Sequence, residues 1–223
     1  MSDNNNEINL SEMARRIMAQ RGLDPLSALT REFSPVDHMV EHAEKSLAAT
    51  LPRRFRDAST DNPAVIAWVE RAVEDLTAVP SLLLVGPVGT GKTHQAIGAM
   101  RGLVMARAAL GKPITFMSTS HPTFNERLRV KKDDTHSQVL PEALAVDVLV
   151  IDDLGAGIAT PWTADTLFRL IDGRWSECRP LICTTNLSPA QLREMDDRVA
   201  SRLADGMKVA LLGGDWRRGG ARP

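Results

Sequence analysis

The sequence lacks the residues on which several common classes of protein depend. Its two cysteines, Cys178 and Cys183, are too few for a disulfide framework or for a zinc site with four cysteine ligands. It has no tyrosine and only 4% aromatic residues, which argues against a broad surface that stacks nucleic-acid bases. The formal net charge of -1 argues against a generally basic nucleic-acid-binding protein, so any contact with nucleic acid must be local.

Long hydrophobic runs are also missing. No uninterrupted apolar run approaches the roughly 18 residues that a membrane-spanning helix needs. The N-terminal MSDNNNEINL is polar and acidic, unlike a secretory signal peptide, in which an apolar segment follows basic residues. With 43% hydrophobic and 25% charged residues, the 223-residue chain has the composition of a soluble globular protein with a substantial core. We therefore expect a cytoplasmic protein with reduced thiols and no membrane contact.

The N-terminal part, residues 1–50, predicts two amphipathic helices. The first covers residues 9–20 and opens with a capping pattern at Asn9 and Glu12. The second begins at Ser34 and runs to about residue 50. Two such helices bury too little area for a core of their own, so they must pack on the main domain or on a partner. The sequence fits both alternatives equally well.

From residue 82 onward, short apolar runs alternate with helical patterns. Continuous apolar runs are typical of strands that are buried on both faces, as in a parallel α/β sheet. Residues 93–110 and 161–175 predict helices, and Ser188 opens another helix with a capping box. The five predicted strands are LLLV (82–85), ITFM (114–117), VLVI (148–151), LICT (181–184) and KVALL (208–212).

The stretch GPVGTGKT at residues 86–93 matches the phosphate-loop pattern G-x-x-x-x-G-K-[ST]. It lies between a predicted buried strand and a predicted helix, which is the context that this motif requires. Its glycines allow backbone N–H groups to surround an anion, Lys92 would reach the β- and γ-phosphates, and the Thr93 hydroxyl would bind Mg²⁺. We expect the nucleotide to be held by the loop and the next residue: Gly86, Pro87, Val88, Gly89, Thr90, Gly91, Lys92, Thr93 and His94.

Two carboxylates end the apolar strand in VLVIDDLG, residues 148–155. Asp152 suits the metal shell of a phosphate-loop protein, and Asp153 suits the polarisation of an attacking water. Asn186, at the end of a later predicted strand, fits two roles on spacing alone. It can hold the water or the γ-phosphate, or it can simply precede the helix that Ser188 caps.

Taken together, the motifs GPVGTGKT, VLVIDDLG, CTTNLS and DDRVASRL resemble the AAA+ ATPases that load bacterial replicative helicases, the DnaC type, and their relatives that assist transposases, the IstB type. The resemblance covers roughly residues 51–218. It implies a doubly wound, mainly parallel five-stranded sheet, ATP as the nucleotide with Mg²⁺, and an ATPase domain over residues 51–223. Residues 1–50 would then be a helical region that binds the partner.

The resemblance also implies roles for single residues. By position in the motifs, Lys92 corresponds to the phosphate-loop lysine, and Asp152 and Asp153 correspond to the Walker B pair. Asn186 corresponds to the sensor asparagine. In R-x-x-S-R-L, Arg202 corresponds to the arginine finger, which contacts the γ-phosphate held by a neighbouring subunit.

An ordinary helix-surface arginine is the alternative for Arg202. Arg198 lies four residues earlier, so both cations would share one helix face and repel each other. If the helix were continuous, Arg198 would pair with Glu194 and leave Arg202 with poorer local partners. A local conflict of this kind is expected at functional sites.

Two departures from the family pattern shape our expectations. Many AAA+ proteins have Asp-Glu where this chain has Asp-Asp, and because Asp153 is one methylene shorter we expect slow hydrolysis. Only 17 residues follow Gly206, too few for a C-terminal helical lid, and Arg217 is at most a weak substitute for the sensor arginine of that lid. We therefore expect no lid and a homo-oligomer, a spiral or ring, in which neighbours complete the site.

A short basic cluster lies between the second and third predicted strands: Arg127, Arg129, Lys131 and Lys132. In related loaders and initiators this position carries a helix that contacts single-stranded DNA. Three acidic neighbours reduce the net charge of the stretch to +1, so a solvated polar surface is the alternative.

We expect an ATPase that loads a hexameric replicative helicase at single-stranded DNA during DNA replication. One alternative is a transposase-helper ATPase of the IstB type, which would share the catalytic domain. Another is a binding module that ATP switches between shapes while hydrolysis is incidental. The short chain without an extended basic N-terminal region favours the loader.

Overall fold

The structure is a computed structural model that describes residues 34–128, 138–157 and 160–213. The helices in these ranges are α1 (Pro35–Thr50), α2 (Pro63–Glu74), α3 (Lys92–Ala109), α4 (His121–Leu128), α5 (Val139–Ala145), α6 (Pro161–Ser176), α7 (Pro189–Met195) and α8 (Asp197–Ala204). The strands are β1 (Leu82–Val85), β2 (Phe116–Ser120), β3 (Val148–Asp152), β4 (Leu181–Thr185) and β5 (Met207–Ala210). The predicted helix at residues 9–20 lies outside the described residues.

The five strands form one parallel sheet in the order β2-β3-β4-β1-β5. Because the strands are parallel, their carboxyl ends meet at one edge of the sheet. β4 lies between β1 and β3, pairing Leu83 with Cys183 on one side and Ile151 with Cys183 on the other. The segments that follow β1, β3 and β4 therefore converge, and these are the three segments in which the sequence predicts the site.

Helices cover both faces of the sheet, which confirms the predicted doubly wound α/β architecture. Side chains alternate between two cores along β1, β3 and β4, as the pleat requires. Leu82 and Leu84 of β1 pack in the core with α1, α2 and α3, whereas Leu83 packs in the core with α4 to α8. Within the described ranges, no helix combines the length and the apolar character needed to cross a membrane.

The second strand differs most from the prediction. It was expected at residues 114–117, but β2 covers Phe116–Ser120. β2 pairs only with β3 and is therefore an edge strand whose residues are mostly half-buried. An edge strand does not need apolar side chains on both faces. The second half of β2 is accordingly the polar Ser118-Thr119-Ser120, which carries no apolar run that could predict a strand.

Helix α1 packs on the main domain rather than standing apart from it. Ser34 caps it through a capping box with Asp37, as the Ser-Pro start predicts. Ala43 and Leu47 of α1 are buried in the same core as α3. The predicted boundary at residue 50 therefore does not separate this helix from the domain, because its apolar stripe completes that core. For residues 1–33 the partner-binding region stays a prediction.

The DDRVASRL segment does not continue the preceding helix. Asp196 has extended backbone angles, with φ -166° and ψ 114°, and so ends α7. Its carboxylate accepts hydrogen bonds from the backbone N–H groups of Arg198 and Val199 and thereby caps α8. The condition for pairing Arg198 with Glu194, one continuous helix, is therefore not met.

Candidate nucleotide-binding site

The phosphate loop connects β1 to α3, and Gly86 and Gly91 are needed in it for different reasons. A Cβ on Gly86 would lie 2.4 Å from the backbone oxygen of Leu211, where no side chain fits. Gly91 has φ +84°, which L side chains rarely adopt, and a Cβ there would meet no atom within 4 Å. Gly91 also forms the N-cap of α3 without a side-chain hydrogen bond. The loop therefore leaves open space before the positive end of a long helix.

Lys92 is buried, with 6% of its surface exposed. Its Nζ donates hydrogen bonds to the backbone oxygens of Gly86 at 2.9 Å and Pro87 at 2.7 Å. Thr90 also donates to the oxygen of Pro87, at 3.0 Å. The lysine thus lies within the loop that it is predicted to serve, and phosphate oxygens would replace the two carbonyl acceptors.

The structure brings the predicted metal ligands Thr93 and Asp152 into contact. Thr93 Oγ1 donates to Asp152 Oδ1 at 2.9 Å, with Oδ2 at 3.1 Å. These residues are 59 positions apart in the sequence and meet because α3 begins beside the end of β3. Hydroxyl and carboxylate oxygens are the hard ligands that Mg²⁺ prefers.

Thr184, which the sequence analysis did not single out, connects the two Walker B residues. Its Oγ1 donates to Asp152 Oδ1 at 2.6 Å and accepts from the backbone N–H of Asp153 at 2.9 Å. Thr184 is completely buried in β4. The polar TTN after the apolar LIC was the available signal, because a buried threonine needs a hydrogen-bond partner.

Asp153 and Asn186 follow neighbouring strands at the same edge of the sheet. Asp153 is half-buried and has φ +52°, an uncommon conformation for a residue other than glycine. Asn186 is exposed directly after β4. The sheet order brings both residues to the edge that carries the phosphate loop, which is compatible with their predicted roles.

His94 and His121 differ in their surroundings. His94 is exposed at the start of α3, and its Nε2 accepts a hydrogen bond from the backbone N–H of Ser59 at 3.4 Å. His121 is buried, and its Nδ1 accepts from the backbone N–H of Gly155 at 3.3 Å. Burial lowers the pKa of His121 below its ordinary value of 6.5. His121 thus holds the loop that follows Asp152 and Asp153.

Arg202 has specific partners on α6. Its Nε donates to Asp172 Oδ1 at 2.7 Å, and its Cζ lies 4.3 Å from the centre of the Trp175 ring. Asp172 and Trp175 were not identified from the sequence as its partners. Both contacts lie on α6, and none lies in the phosphate loop of the same chain, all of which is described.

Arg198 makes a different set of contacts. Its Nε and Nη2 donate to the two carboxylate oxygens of Asp196 at 3.3 and 2.9 Å, and this hydrogen bonding lowers the pKa of Asp196. Its Nη1 lies 3.8 Å from Asp165, and its Cζ lies 4.3 Å from the centre of the Phe168 ring. Because Asp196 caps α8, these bonds give Arg198 a role in stabilising the start of that helix.

Arg174 is a structural residue in the last turn of α6. It is 1% exposed and donates four hydrogen bonds to backbone oxygens, at distances from 2.7 to 3.1 Å: Ala143, Val146, Asp147 and Pro180. Burial lowers its pKa to about 10. These bonds join the α5–β3 connection to the segment before β4.

Most of the predicted DNA-contacting cluster lies outside the described residues, namely Arg129, Lys131 and Lys132. Arg217, considered as a substitute sensor, is also outside them. Arg127 lies in the last turn of α4, where its Nη2 is 3.6 Å from Glu142 Oε2 on α5. Both side chains are about half exposed, so this pair contributes little to stability.

The residues present fit a nucleoside triphosphate with a magnesium ion. An open glycine loop at a helix start provides N–H groups for phosphates, and Thr93 with Asp152 provides oxygen ligands for the metal. Together with a parallel sheet whose β1 and β3 end at this site, these features define a phosphate-loop nucleotide-binding protein.

Comparison with known proteins identifies the family. The profile of the bacterial DnaA ATPase domain matches residues 55–210. The chain therefore belongs to the family of the bacterial DnaA ATPase domain.

Individual relatives support the predicted resemblance to the DnaC and IstB types. The chain is 33% identical over 159 residues to an ATP-binding protein in an insertion sequence of Mycobacterium tuberculosis; the match covers 71% of this chain and 61% of that protein. The crystal structure of DnaI is similar in fold, with a TM-score of 0.61 and 22% identity over 74% of this chain and 93% of the other. The DnaC helicase loader gives a TM-score of 0.58 and 21% identity over 72% and 100%.

Proposed function

We propose that this protein is an ATPase that loads a hexameric replicative DNA helicase, with ATP bound and hydrolysed where two copies of the chain meet. The observation that carries this proposal is the direct contact of Thr93 with Asp152 beside an open phosphate loop. The fold likeness to a DnaC helicase loader supports the choice of partner.

In the proposed reaction Asp153 takes a proton from water as the water oxygen bonds to the γ-phosphorus. The bond between that phosphorus and the bridging oxygen of ADP breaks, and ADP and phosphate leave. Lys92 of the copy that binds ATP and Arg202 of the second copy stabilise the negative charge that develops on the phosphate oxygens. Asn186 orients the water. Thr93 and Asp152 would hold Mg²⁺, which would neutralise part of the phosphate charge. The short Asp153 side chain makes the reaction slow.

Lys92→Ala should remove most nucleotide affinity, because the phosphates lose their cation in the buried loop. Arg202→Ala should instead retain ATP binding and lose turnover by a factor on the order of 10³–10⁵, the range found for arginine fingers. Titration calorimetry and phosphate release measure the two effects separately. Full turnover by the Arg202→Ala protein would refute its role. ATP binding without any hydrolysis by the unaltered chain would favour an ATP-switched binding module.

A transposase-helper ATPase is the second candidate, and the 33% identity to an insertion-sequence protein supports it. The two candidates share the site and differ in the partner. Full-length protein with ATP should therefore be tested for association with a replicative helicase hexamer and with a transposase, using Lys92→Ala as the control. ATP-dependent binding to the helicase alone supports the loader, whereas binding to the transposase alone supports the helper.

A further inference from the structure

The guanidinium of Arg202 is held through Nε, and its two terminal nitrogens remain available. Asp172 accepts from its Nε at 2.7 Å, and the ring of Trp175 covers its guanidinium at 4.3 Å. A guanidinium has five N–H donors, of which four belong to the two terminal nitrogens. In the described part of the chain these terminal nitrogens donate no hydrogen bond, and 33% of the side chain is exposed. The donors that fit a phosphate remain at the surface.

Arg198, on the same helix, differs because its terminal nitrogens also lie near carboxylates. It uses Nε and one terminal nitrogen on Asp196, while the other terminal nitrogen lies 3.8 Å from Asp165. Its terminal donors therefore face carboxylates of its own chain. The two arginines therefore differ in their terminal nitrogens: both of Arg198 lie near carboxylates, whereas Arg202 is bound to a carboxylate through Nε alone.

The two partners of Arg202, Asp172 and Trp175, lie on a helix whose two ends are both fixed by hydrogen bonds. Asp172 and Trp175 are three residues apart on α6 and therefore share one face. The helix begins with a capping box at Thr160, and Arg174 anchors its last turn with four hydrogen bonds. A charged group supported by rigid elements needs less reorganisation when its ligand arrives.

We propose that Asp172 and Trp175 are positioning residues that hold Arg202 ready for the γ-phosphate of ATP bound to a second copy of the chain. This inference rests on the proposed function, because it takes Arg202 as the arginine finger. The contact through Nε can persist while the terminal nitrogens bind phosphate. Trp175 is 46% exposed and so belongs to the surface that would face the second copy.

The first test compares Asp172→Asn with Asp165→Asn in the full-length chain. Both changes remove one carboxylate charge from α6, and both carboxylates face an arginine of α8. Asp172→Asn should lower kcat roughly tenfold or more, since a misplacement of about 1 Å can cost on the order of 10²-fold. Asp165→Asn should change kcat by less than about twofold. ATP affinity and the unfolding temperature should be unchanged in both.

Trp175 provides a second variant with a conservative control. Trp175→Leu removes the ring under the guanidinium and should lower kcat in the same way as Asp172→Asn. Trp175→Phe keeps an aromatic face and should retain most of the turnover. Equal losses in Trp175→Leu and Trp175→Phe would contradict the stacking role of this residue.

Mixing of subunits distinguishes a positioning role in the second copy from damage within one copy. Asp172→Asn protein has intact phosphate loops but poorly held fingers, whereas Lys92→Ala protein has intact fingers and no phosphate site. Adding Lys92→Ala protein should therefore raise the turnover of Asp172→Asn protein. The double variant Lys92→Ala/Arg202→Ala should not. Absence of any rescue by Lys92→Ala protein would overturn the proposal.

Other combinations of results distinguish a failure of the proposed function from a failure of the positioning role. If Arg202→Ala has full turnover, the arginine finger of the proposed function fails, whatever Asp172→Asn does. If Arg202→Ala is inactive but Asp172→Asn behaves like Asp165→Asn, only the positioning role fails. Faster turnover in Asp172→Asn would show that Asp172 restrains Arg202, which overturns the proposal. Loss of ATP affinity or of thermal stability parallel to the loss of rate would do the same.

Discussion

At the scale of single residues, the Thr184 hydroxyl orders the carboxylate that is proposed to bind the metal. It joins Asp152 Oδ1 to the backbone N–H of Asp153. Thr184→Val keeps the shape of the side chain but leaves a buried N–H without its acceptor, so stability should fall by about 1–3 kcal/mol. Nucleotide binding should also require more Mg²⁺, because Asp152 loses its orientation. Urea unfolding and Mg²⁺ titrations of nucleotide binding measure the two effects.

The neighbouring Thr185 is a matched control for this prediction. It is equally buried, and its hydroxyl donates to the backbone oxygen of Leu154 at 2.8 Å and accepts from the N–H of Leu187 at 3.1 Å. Thr185→Val should therefore lose similar stability without a change in Mg²⁺ requirement. Thr184→Ser should keep both properties. The same Mg²⁺ shift in both valine variants would show that Thr184 acts only through general stability.

His121 should make the stability of the fold sensitive to acid. Burial lowers its folded pKa below 6.5, so the unfolded chain takes up the proton first as the pH falls. Stability should consequently decrease below about pH 6.5, by up to about 1.4 kcal/mol per pH unit until the folded pKa is passed. A protonated Nδ1 can no longer accept from Gly155, so the loop after the Walker B strand loses that bond.

Urea unfolding between pH 7.5 and 5.5 measures this loss. His121→Gln should show a flatter dependence on pH, whereas the same change at the exposed His42 controls for removal of an imidazole. An unchanged pH dependence in His121→Gln would assign the acid sensitivity to other groups.

At the scale of elements, α1 should contribute to the stability of the ATPase domain. Leu47 is 4% exposed in the core shared with α3, so Leu47→Ala should cost about 2–5 kcal/mol. Val36 lies on the same helix but is 36% exposed, and Val36→Ala should stay within about 0.5 kcal/mol. Urea unfolding of the full-length variants decides the point. Equal, small effects would mean that α1 is not part of the cooperative core.

The elements that the sequence predicted well are those whose signal is local. Continuous apolar runs located β1 at the observed residues and placed β3 and β4 within one residue of their ends. The Ser188 capping box likewise placed the start of α7. β2 was displaced because half of an edge strand is polar. The break before α8 was missed although Asp196 is a favourable N-cap residue, since no glycine or proline accompanies it.

The site shows the same division between local and distant contacts. The loop glycines, Lys92 and the Walker B carboxylates follow from contiguous motifs. The partners of Asp152 and Arg202 do not, because Thr184 is 32 positions from Asp152 and Asp172 is 30 positions from Arg202. Such pairs depend on the order of strands and on which helix face meets which. A single sequence contains no direct record of either.

At the scale of the whole molecule, one chain holds two separate parts of the proposed reaction. The phosphate loop and the Walker B residues lie at the carboxyl edge of the sheet, whereas Arg202 is held against α6 by Asp172 and Trp175. If Arg202 serves the ATP of a second copy, as proposed, two copies must meet. Turnover per subunit should therefore rise with protein concentration, which phosphate release measured over a dilution series would show. A constant rate per subunit at every concentration would contradict a shared site.

The whole-molecule charge also decides how DNA binding should behave. The chain has 27 basic and 28 acidic residues, so only a local cluster can attract the DNA backbone. If residues 127–132 contact single-stranded DNA, the affinity should fall steeply with salt, by a slope of about 0.7 for each phosphate contact on logarithmic axes. Lys131→Ala/Lys132→Ala should weaken binding and reduce that slope by about 1.4. Fluorescence anisotropy of a labelled oligonucleotide over a range of salt concentrations measures both quantities.

Arg53→Ala/Arg54→Ala is the matched control for this charge change. These arginines lie between α1 and α2, in the helical layer on the other side of the sheet from α4 and α5. Their removal lowers the net charge equally, so a purely global effect of charge would weaken DNA binding as much as the Lys131/Lys132 change. A local contact predicts that only the lysine variant changes the slope. An affinity that does not respond to salt would exclude this cluster as the DNA contact, because basic side chains that neutralise phosphates release counterions, and that release makes binding depend on salt.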